Sequence, residues 1–270
     1  MVVMITQERR SRIVQLAEEC GFVSLQQLVA EIGASESTIR RDLEYLDNQG
    51  FLQRTRGGAA FSGESLTDFD ARRQKASLQK RSIAHRVAEL IQPGETVLLD
   101  GGTSTLEVAR NLHNKSLQVV TNSLPIAAVL MNQTSVELIF VGGYVYPKTG
   151  VALGDQAIAA LKNVHVSRLV MSAGGVTEEG LFNSNALLVE TERQMIASAG
   201  HVTLVADHTK FGQRALSHLC PLTSVDQIVT DSGLSHEWRE TLASVGIALE
   251  VVNVPQERIT ESTKGIQTES

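Results

Sequence analysis

Two short segments carry residue types whose spacing suits the recognition of anions. The first, SESTIRRDLEYLDNQGFLQRTRGG from Ser35 to Gly58, sets Arg40 and Arg41 beside Ser35, Ser37 and Thr38, then places Arg54 and Arg56 next to a glycine pair. An arginine fork can bond a guanine edge or a phosphate through paired N–H donors, and hydroxyls suit base or phosphate contacts. The second, TVLLDGGTSTLEVARNL from Thr96 to Leu112, ends an apolar run at Asp100, continues with Gly101 and Gly102, and opens a helical pattern with Thr103, Ser104 and Thr105. Glycines permit close backbone approach, while the amides and dipole of a helix N-terminus favour negative charge. The third glycine of a dinucleotide fingerprint and the lysine of a Walker loop are both missing. A small phosphorylated ligand therefore suits this loop better than a dinucleotide.

Further candidates stand at the ends of other apolar runs: Thr121-Asn122, Gly142-Gly143, Ala173-Gly174-Gly175, and Asp207 with Lys210 in VADHTKF. In open α/β sheets ligands gather at the carboxyl ends of the strands, so these positions can converge. Lys210 can neutralise a phosphate, and Asp100 and Asp207 can accept sugar hydroxyl protons. The plainer alternatives are a surface ammonium for Lys210 and a turn or helix cap for Asp207. The seven histidines show no ligand spacing for a metal, and no serine has the context of a nucleophile elbow. Metal, cofactor and catalytic residues are therefore expected to be absent.

The elements that must hold these residues are legible from period and punctuation. Ile13, Leu16 and Ala17 make a first helix from Gln7 to about Cys20. Ser24 and Gln27 match a capping box, with Val23 and Leu28 placed as a hydrophobic staple, and Gly33 ends that second helix at Ile32. Ser35 can cap a third helix whose buried stripe is Ile39, Leu43 and Leu46, stopped by Gly50. On its wheel Ser37, Arg41 and Asn48 face away from that stripe, flanked by Thr38 and Arg40. Phe51–Arg54 and Ala59–Phe61 can pair as a hairpin around Gly57-Gly58. Two helices across the tight Gly33-Ala34 connection, followed by an arginine-bearing wing, have helix-turn-helix proportions.

Beyond a linker at residues 62–73, a helix is expected from about Gln74 to Ile91. Seven apolar β-branched runs then alternate with helical stretches: Thr96–Leu99, Leu117–Thr121, Val136–Val141, Arg168–Ser172, His201–Ala206, Gln227–Thr230 and Ala248–Val251. Such alternation predicts an α/β domain with a mostly parallel sheet over residues 74–255, joined to an N-terminal unit at residues 1–61. Residues 256–270 read as a polar tail.

Bulk properties bound the partners. A formal net charge of −6 argues against polyanion binding by the whole surface, yet permits a local basic edge. The Arg40-Arg41 pair alone reads equally well as a solvated face, with Glu36, Asp42, Glu44 and Asp47 at hand to neutralise it. Cys20 and Cys220 fit no disulfide framework, and neither a signal peptide's apolar core nor a membrane-length run is evident, so a cytoplasmic, soluble protein is expected.

The stretch from Arg9 through Ala59 resembles the winged helix-turn-helix of the DeoR family of bacterial transcription regulators. The resemblance rests on Ser35-x-x-Thr38-Ile39-Arg40-Arg41-Asp42-Leu43, then Leu46, Gly50 and the Arg-x-Gly-Gly wing. The remainder is similar to the DeoR-type sensor domain through Asp-Gly-Gly-Thr-Ser-Thr, Thr-Asn, Gly-Gly and Asp-x-Thr-Lys-Phe, a domain similar in turn to ribose-5-phosphate isomerase. The resemblance implies a double-stranded DNA operator, a phosphorylated sugar effector bound at Gly101–Thr105, Asn122 and Lys210, and a homodimer or homotetramer. Where the isomerases carry an acidic Asp-Gly-x-Asp-Glu segment this chain has Ser172-Ala173-Gly174-Gly175-Val176, which lacks the carboxylates needed for acid–base chemistry. Glu190 and Glu192 lie near where a catalytic glutamate would be sought. The expectation is a repressor of carbohydrate metabolism. The rival class is a sugar-phosphate isomerase-like enzyme with an accessory DNA-binding domain, and a purely structural module ranks third.

Overall fold

The computed structural model describes residues 6–255 except residues 21, 49–51, 56, 61–72, 74 and 147–148. In the N-terminal unit, α1 (Thr6–Cys20), α2 (Leu25–Ile32) and α3 (Glu36–Asn48) pack around Ile13, Leu16, Ala17, Leu28, Ile39, Leu43 and Leu46. The capping box forms: Ser24 Oγ accepts from the Gln27 amide at 3.2 Å, and the Ser24 amide donates to Gln27 Oε1 at 2.9 Å. Val23 and Leu28 are both buried in the same cluster. Gly33 closes α2 at φ 71°, a conformation that costs a residue with a Cβ.

The wing has one strand more than expected. β2 (Gln53–Thr55) and β3 (Gly58–Ala60) pair antiparallel, but β3 also pairs with β1 (Phe22–Ser24), giving the order β1-β3-β2. Gly58 is consequently a strand residue opposite both Ser24 and Thr55, rather than a turn residue. A Cβ there would stand 2.1 Å from the Val23 carbonyl oxygen, so the close approach of β3 to β1 requires glycine. Gly50, Phe51, Arg56, Phe61, nearly all of the 62–73 linker and the 256–270 tail lie outside the described residues.

The larger unit begins with α4 (Ser77–Leu90), three residues later than Gln74, because Ala76 takes a left-handed conformation at φ 51°. All seven expected strands are present and form one parallel sheet: β4 (Thr96–Leu99), β5 (Leu117–Thr121), β6 (Val136–Phe140), β9 (Arg168–Met171), β12 (Val202–Val205), β14 (Gln227–Asp231) and β15 (Ala248–Val252). Their order is β15-β14-β12-β9-β4-β5-β6. Adjacent residues feed opposite layers, as a sheet covered on both faces demands. Val97, Leu99, Val119, Val170, Val205 and Val229 pack with α4, α5 (Thr103–Arg110) and α6 (Leu124–Leu130). Leu98, Val120, Leu169, Met171, Leu204 and Ile228 pack with α7 (Asp155–Leu161), α8 (Ala186–Ala197) and α9 (His236–Val245).

Short elements between the main strands escaped the sequence reading. β7 (Tyr144–Tyr146) and β8 (Val151–Leu153) form a hairpin, and β10 (Gly175–Thr177), β11 (Gly180–Asn183) and β13 (Ser217–Cys220) form a small antiparallel sheet. Runs of three or four residues carry too little periodicity to be recognised.

Candidate nucleic-acid interface and effector crevice

Helix α3 buries Ile39, Leu43 and Leu46 and leaves Ser35, Ser37, Arg40 and Arg41 exposed, with Thr38 half-buried. Ser35 Oγ accepts from the Thr38 amide at 3.3 Å and lies 3.0 Å from Ser37 Oγ and 2.8 Å from Thr38 Oγ1. The cap is thus a cluster of three hydroxyls at the helix N-terminus, where backbone amides and the dipole favour an anion. Arg40 is tied to Glu36 one turn back, Nη2 to Oε1 at 2.6 Å, an exposed pair of small energy that exchange with a phosphate can replace. Arg41 makes no ion pair among the described residues. In the wing Arg54 is exposed, and its amide donates to Asp47 Oδ1 at 3.2 Å, which fixes β2 to the end of α3. Arg56 lies outside the described residues.

Asp42 has a role that the sequence reading did not assign. It does not neutralise Arg40 or Arg41. It is 2% exposed and turns inward, accepting from Arg9 Nε at 2.6 Å and Arg10 Nε at 2.8 Å. The Arg10 guanidinium also lies 3.6 Å from the centre of the Tyr45 ring. Two arginines of α1 therefore clasp one carboxylate of α3 and tie the two helices together.

The sensor unit has a crevice defined by strand order. From β4 the chain winds outward to β5 and β6, then returns to β9 on the other side of β4. The loops after β4 and β9 diverge at this switch point, where open α/β sheets bind ligands. A Cβ on Gly102 would come within 2.5 Å of Ser172 Oγ, and one on Gly101 within 2.0 Å of Val151 Cγ1, so neighbouring side chains stand close against both glycines. Asp100, Thr103, Ser104 and Thr105 are buried at the mouth of α5.

The residues expected to contact an effector divide into two groups. Gly101, Gly102, Thr103, Ser104 and Gly174 border the switch point. Thr105 Oγ1 donates back to the Gly102 carbonyl at 3.1 Å, so its hydroxyl serves the loop instead of a ligand. Asn122 Nδ2 donates to the Ala152 carbonyl at 2.9 Å and binds β8 to the sheet; Asn122 Oδ1 is buried with no hydrogen-bond partner. Asp207 caps the short helix His208–Lys210 by accepting from the Thr209 amide at 3.1 Å, which is the plainer of its two readings. Lys210, half-buried, makes no ion pair among the described residues and remains able to meet an anion. Gly142 and Gly143 sit after the edge strand β6, two strands from the switch point. Gly143 packs against Ala157 and the Leu153 carbonyl, whereas nothing lies within 4 Å of a Cβ on Gly142.

The sequence singles out Ser172, Glu192 and His208 near the crevice, but not the pairings that hold them. Asn183 Oδ1 accepts from the Gly174 amide at 2.6 Å, while Asn183 Nδ2 donates to both carboxylate oxygens of the buried Glu192, at 2.6 and 2.8 Å. His208 Nδ1 lies 2.7 Å from Oδ2 of the buried Asp231, and a Cβ on Gly233 would strike the His208 ring. Ser172 faces Gly102. These pairings join residues far apart in sequence, so no local pattern announces them.

Models of two families cover this architecture. Residues 9–64 match a DeoR-like helix-turn-helix domain and residues 75–232 a DeoR C terminal sensor domain. The chain belongs to the DeoR family of transcriptional regulators. A DeoR-family chain binds DNA through the helix-turn-helix and carries a sensor domain behind it. Similar relatives include the HTH-type transcriptional regulator YgbI of Escherichia coli (strain K12), 33% identical over 249 residues, covering 91% of this chain and 98% of the relative. The glycerol-3-phosphate regulon repressor of Escherichia coli (strain K12) is 32% identical over 247 residues, covering 90% and 98%. Among solved structures, ribose 5-phosphate isomerase A of Methanocaldococcus jannaschii aligns with a TM-score of 0.38 and 16% identity, over 51% of this chain and 55% of that one. Among the described residues no helix is long and apolar enough to cross a membrane, and no group of three His, Cys, Asp or Glu side chains could hold a metal.

Proposed function

We propose that this DeoR-family regulator is a cytoplasmic repressor of a carbohydrate-metabolism operon, acting as a homo-oligomer and released or retained on its operator by a phosphorylated sugar. The observation that carries the sensor reading is the apposition of Gly102 and Ser172 at the switch point, with buried Thr103 and Ser104 opening α5. A phosphate there accepts from the first-turn amides and hydroxyls, and Lys210 supplies a compensating charge at the same sheet edge. The named regulon of the glycerol-3-phosphate relative supports a phosphorylated metabolite as the ligand class. Ser35, Ser37, Thr38 and Arg41 read the operator, Arg40 joins them once Glu36 releases it, and Arg54 and Arg56 hold the backbone.

The reading contains no catalytic step. The loop after β9 offers Ser172, Ala173 and glycines where the isomerases carry carboxylates, and Glu192 is occupied by the Asn183 amide. No turnover of ribose 5-phosphate is expected.

Thermal melting of the full-length protein with a panel of phosphorylated sugars tests the sensor, because a ligand of the native state raises stability by mass action. At least one sugar phosphate is expected to raise Tm and to change operator affinity; a panel without effect on either would sink this part of the proposal. For the reader, Arg41→Ala is expected to cost about 1–3 kcal/mol of specific binding and to relax preference at one base position. Unchanged affinity and preference would remove Arg41 from the interface.

A further inference from the structure

The large sheet ends on one side at β6, which among the described residues pairs with β5 alone. This edge is open and apolar. Ile139 and Phe140, adjacent and so on opposite faces of the strand, are 41% and 40% exposed. Leu124 at the start of α6 and Met131 just past its end are exposed as well, as are Tyr144 and Val145 of β7. Helix α6 packs on β6, and the Leu124 amide donates to the Gly150 carbonyl at 2.9 Å, which draws the β7–β8 hairpin to the same end of the strand. Six of the ten large exposed apolar side chains among the described residues therefore belong to this one side of the sheet.

Main-chain direction says what can cover the edge. The Val141 amide donates to the Thr121 carbonyl at 2.8 Å, and the Ser135 carbonyl accepts from the Leu117 amide at 3.2 Å. Main-chain groups alternate sides along a strand, so Val136, Leu138 and Phe140 turn theirs away from β5. An antiparallel copy centred on Leu138 meets all three: Leu138 faces its twin and Val136 faces Phe140, each as a pair that exchanges both hydrogen bonds. The same register sets Glu137, the only charge on β6, opposite Ile139 instead of another carboxylate. Edge strands are commonly guarded by Lys, Pro or a bulge, and β6 has none of these. The opposite edge, β15, carries Glu250, held by Arg86 Nε at 2.8 Å. At a full surface of roughly 200 Å² for a large side chain, the six residues leave on the order of 600 Å² of apolar surface bare, the upper end for a monomer. Each partner of a standard interface buries about 800 Å², which this patch and the main chain of β6 together supply.

We propose that β6 is a self-association edge: two copies of this chain pair β6 with β6 antiparallel about a two-fold axis at Leu138, joining their sheets into one. The proposal rests on the homo-oligomer of the reading above and names its contact surface. Such an isologous contact closes after two copies, because each contributes the same strand and no edge of this kind is left over. The apolar residues of α6 and β7 flank the paired strands and exclude water from them. Two copies carry two recognition helices, the number that an operator of two half-sites requires.

Sedimentation velocity of the full-length protein tests this edge, with far-UV circular dichroism as the check on folding. Ile139→Glu sets a carboxylate opposite the second copy's Glu137 at two symmetric places, and like charges directly opposite disfavour pairing. Self-association is expected to weaken at least tenfold, about 1.4 kcal/mol. Combining Glu137→Lys with Ile139→Glu turns both places into Lys–Glu pairs and should restore most of the lost affinity. Recovery by this charge swap supports the register, since a merely structural role for Ile139 would not produce it. An assembly indifferent to Ile139→Glu is held by another surface: the edge proposal fails and the homo-oligomer stands. Weakening without recovery in the double variant also overturns strand pairing at Leu138. A monomeric parent removes both the edge and the homo-oligomer. If that monomer dimerises once residues 256–270 are deleted, the chain's own tail covers β6, which equally overturns the proposal.

Discussion

The recognition helix and the effector crevice place their polar residues on opposite sides of the solvent boundary. On α3 the hydroxyls of Ser35 and Ser37 and the guanidiniums of Arg40 and Arg41 stand outside a small apolar core. At the switch point Asp100, Thr103 and Ser104 are enclosed by glycine-lined walls. The difference fits the partners proposed for the two sites. Duplex DNA is a large, stiff polyanion that must be met by a protruding edge, and its affinity comes from counterion release and base contacts. A small phosphorylated molecule is recognised by surrounding it with donors in a site shielded from water. Local order is likewise supplied differently: by a buried carboxylate clasp beneath α3, and by side chains packed against the loop glycines around the crevice.

The largest expected effect separates the two kinds of close approach. Gly58→Ala sets a Cβ against the immovable Val23 carbonyl oxygen, and we expect a loss of about 3 kcal/mol or more in the N-terminal unit, with operator binding abolished. Gly101→Ala meets Val151 Cγ1, a side-chain atom that can turn aside, so a smaller cost of about 1–3 kcal/mol is expected. Thermal melting of both variants decides it; equal losses would erase the distinction.

Next comes the clasp. Asp42→Ala leaves Arg9 and Arg10 without their shared carboxylate, and because the arginines are 14% and 28% exposed the expected cost is about 2–3 kcal/mol, below the full value of a buried pair. Operator affinity should fall with sequence preference retained, since Arg41 is still present but less well aimed. A variant as stable as the parent would mean that apolar packing alone holds α3 to α1. Arg54→Ala should act more weakly, reducing binding across all sequences and lowering the salt slope by about one, in a titration of affinity against salt concentration. Loss of preference at a single base would instead make the wing a base reader.

The smallest effect lies beside the crevice. Burial, reinforced by the charge of Glu192, pushes the Cys220 thiol up to about 11. The folded state favours the neutral thiol, so its contribution to stability is complete below the unfolded value of 9.0 and is lost as pH rises towards 11. Alkylation at about pH 8 should be far slower in the folded protein than in urea, since the thiolate is the nucleophile. Equal rates would show that the sheet formed by β10, β11 and β13 opens freely.

Much of the architecture was legible because its causes are local. Ser24, Gln27 and Gly33 start and stop α2 through neighbours within four residues, and Ile39, Leu43 and Leu46 mark the inner face of α3 by spacing alone. The five central strands announced themselves as nearly continuous apolar runs because the sheet is covered on both faces there, whereas the edge strands β6 and β15 are more exposed. The wing was partly misread at Gly58, since its requirement for glycine comes from β1, more than thirty positions away. Thr105 and Asn122 looked equivalent to other polar residues of the crevice, yet Thr105 is bound to the Gly102 carbonyl of its own loop and Asn122 to the Ala152 carbonyl that the tertiary fold supplies.

The sequence by itself determined the main helices and the seven strands of the large sheet, where arginines and hydroxyls cluster, and that a glycine-hydroxyl loop opens α5. Periodicity, capping and turn chemistry act over a few residues and survive in any context. Only the tertiary structure decided that β9 lies beside β4 and so makes a crevice of Gly102 and Ser172. It also decided that Asp42 faces Arg9 and Arg10 rather than Arg40 and Arg41, and that Ile139 and Phe140 stand on an edge strand. Those outcomes depend on which distant elements pack together, a matter of burying both faces of one sheet that no single segment can specify.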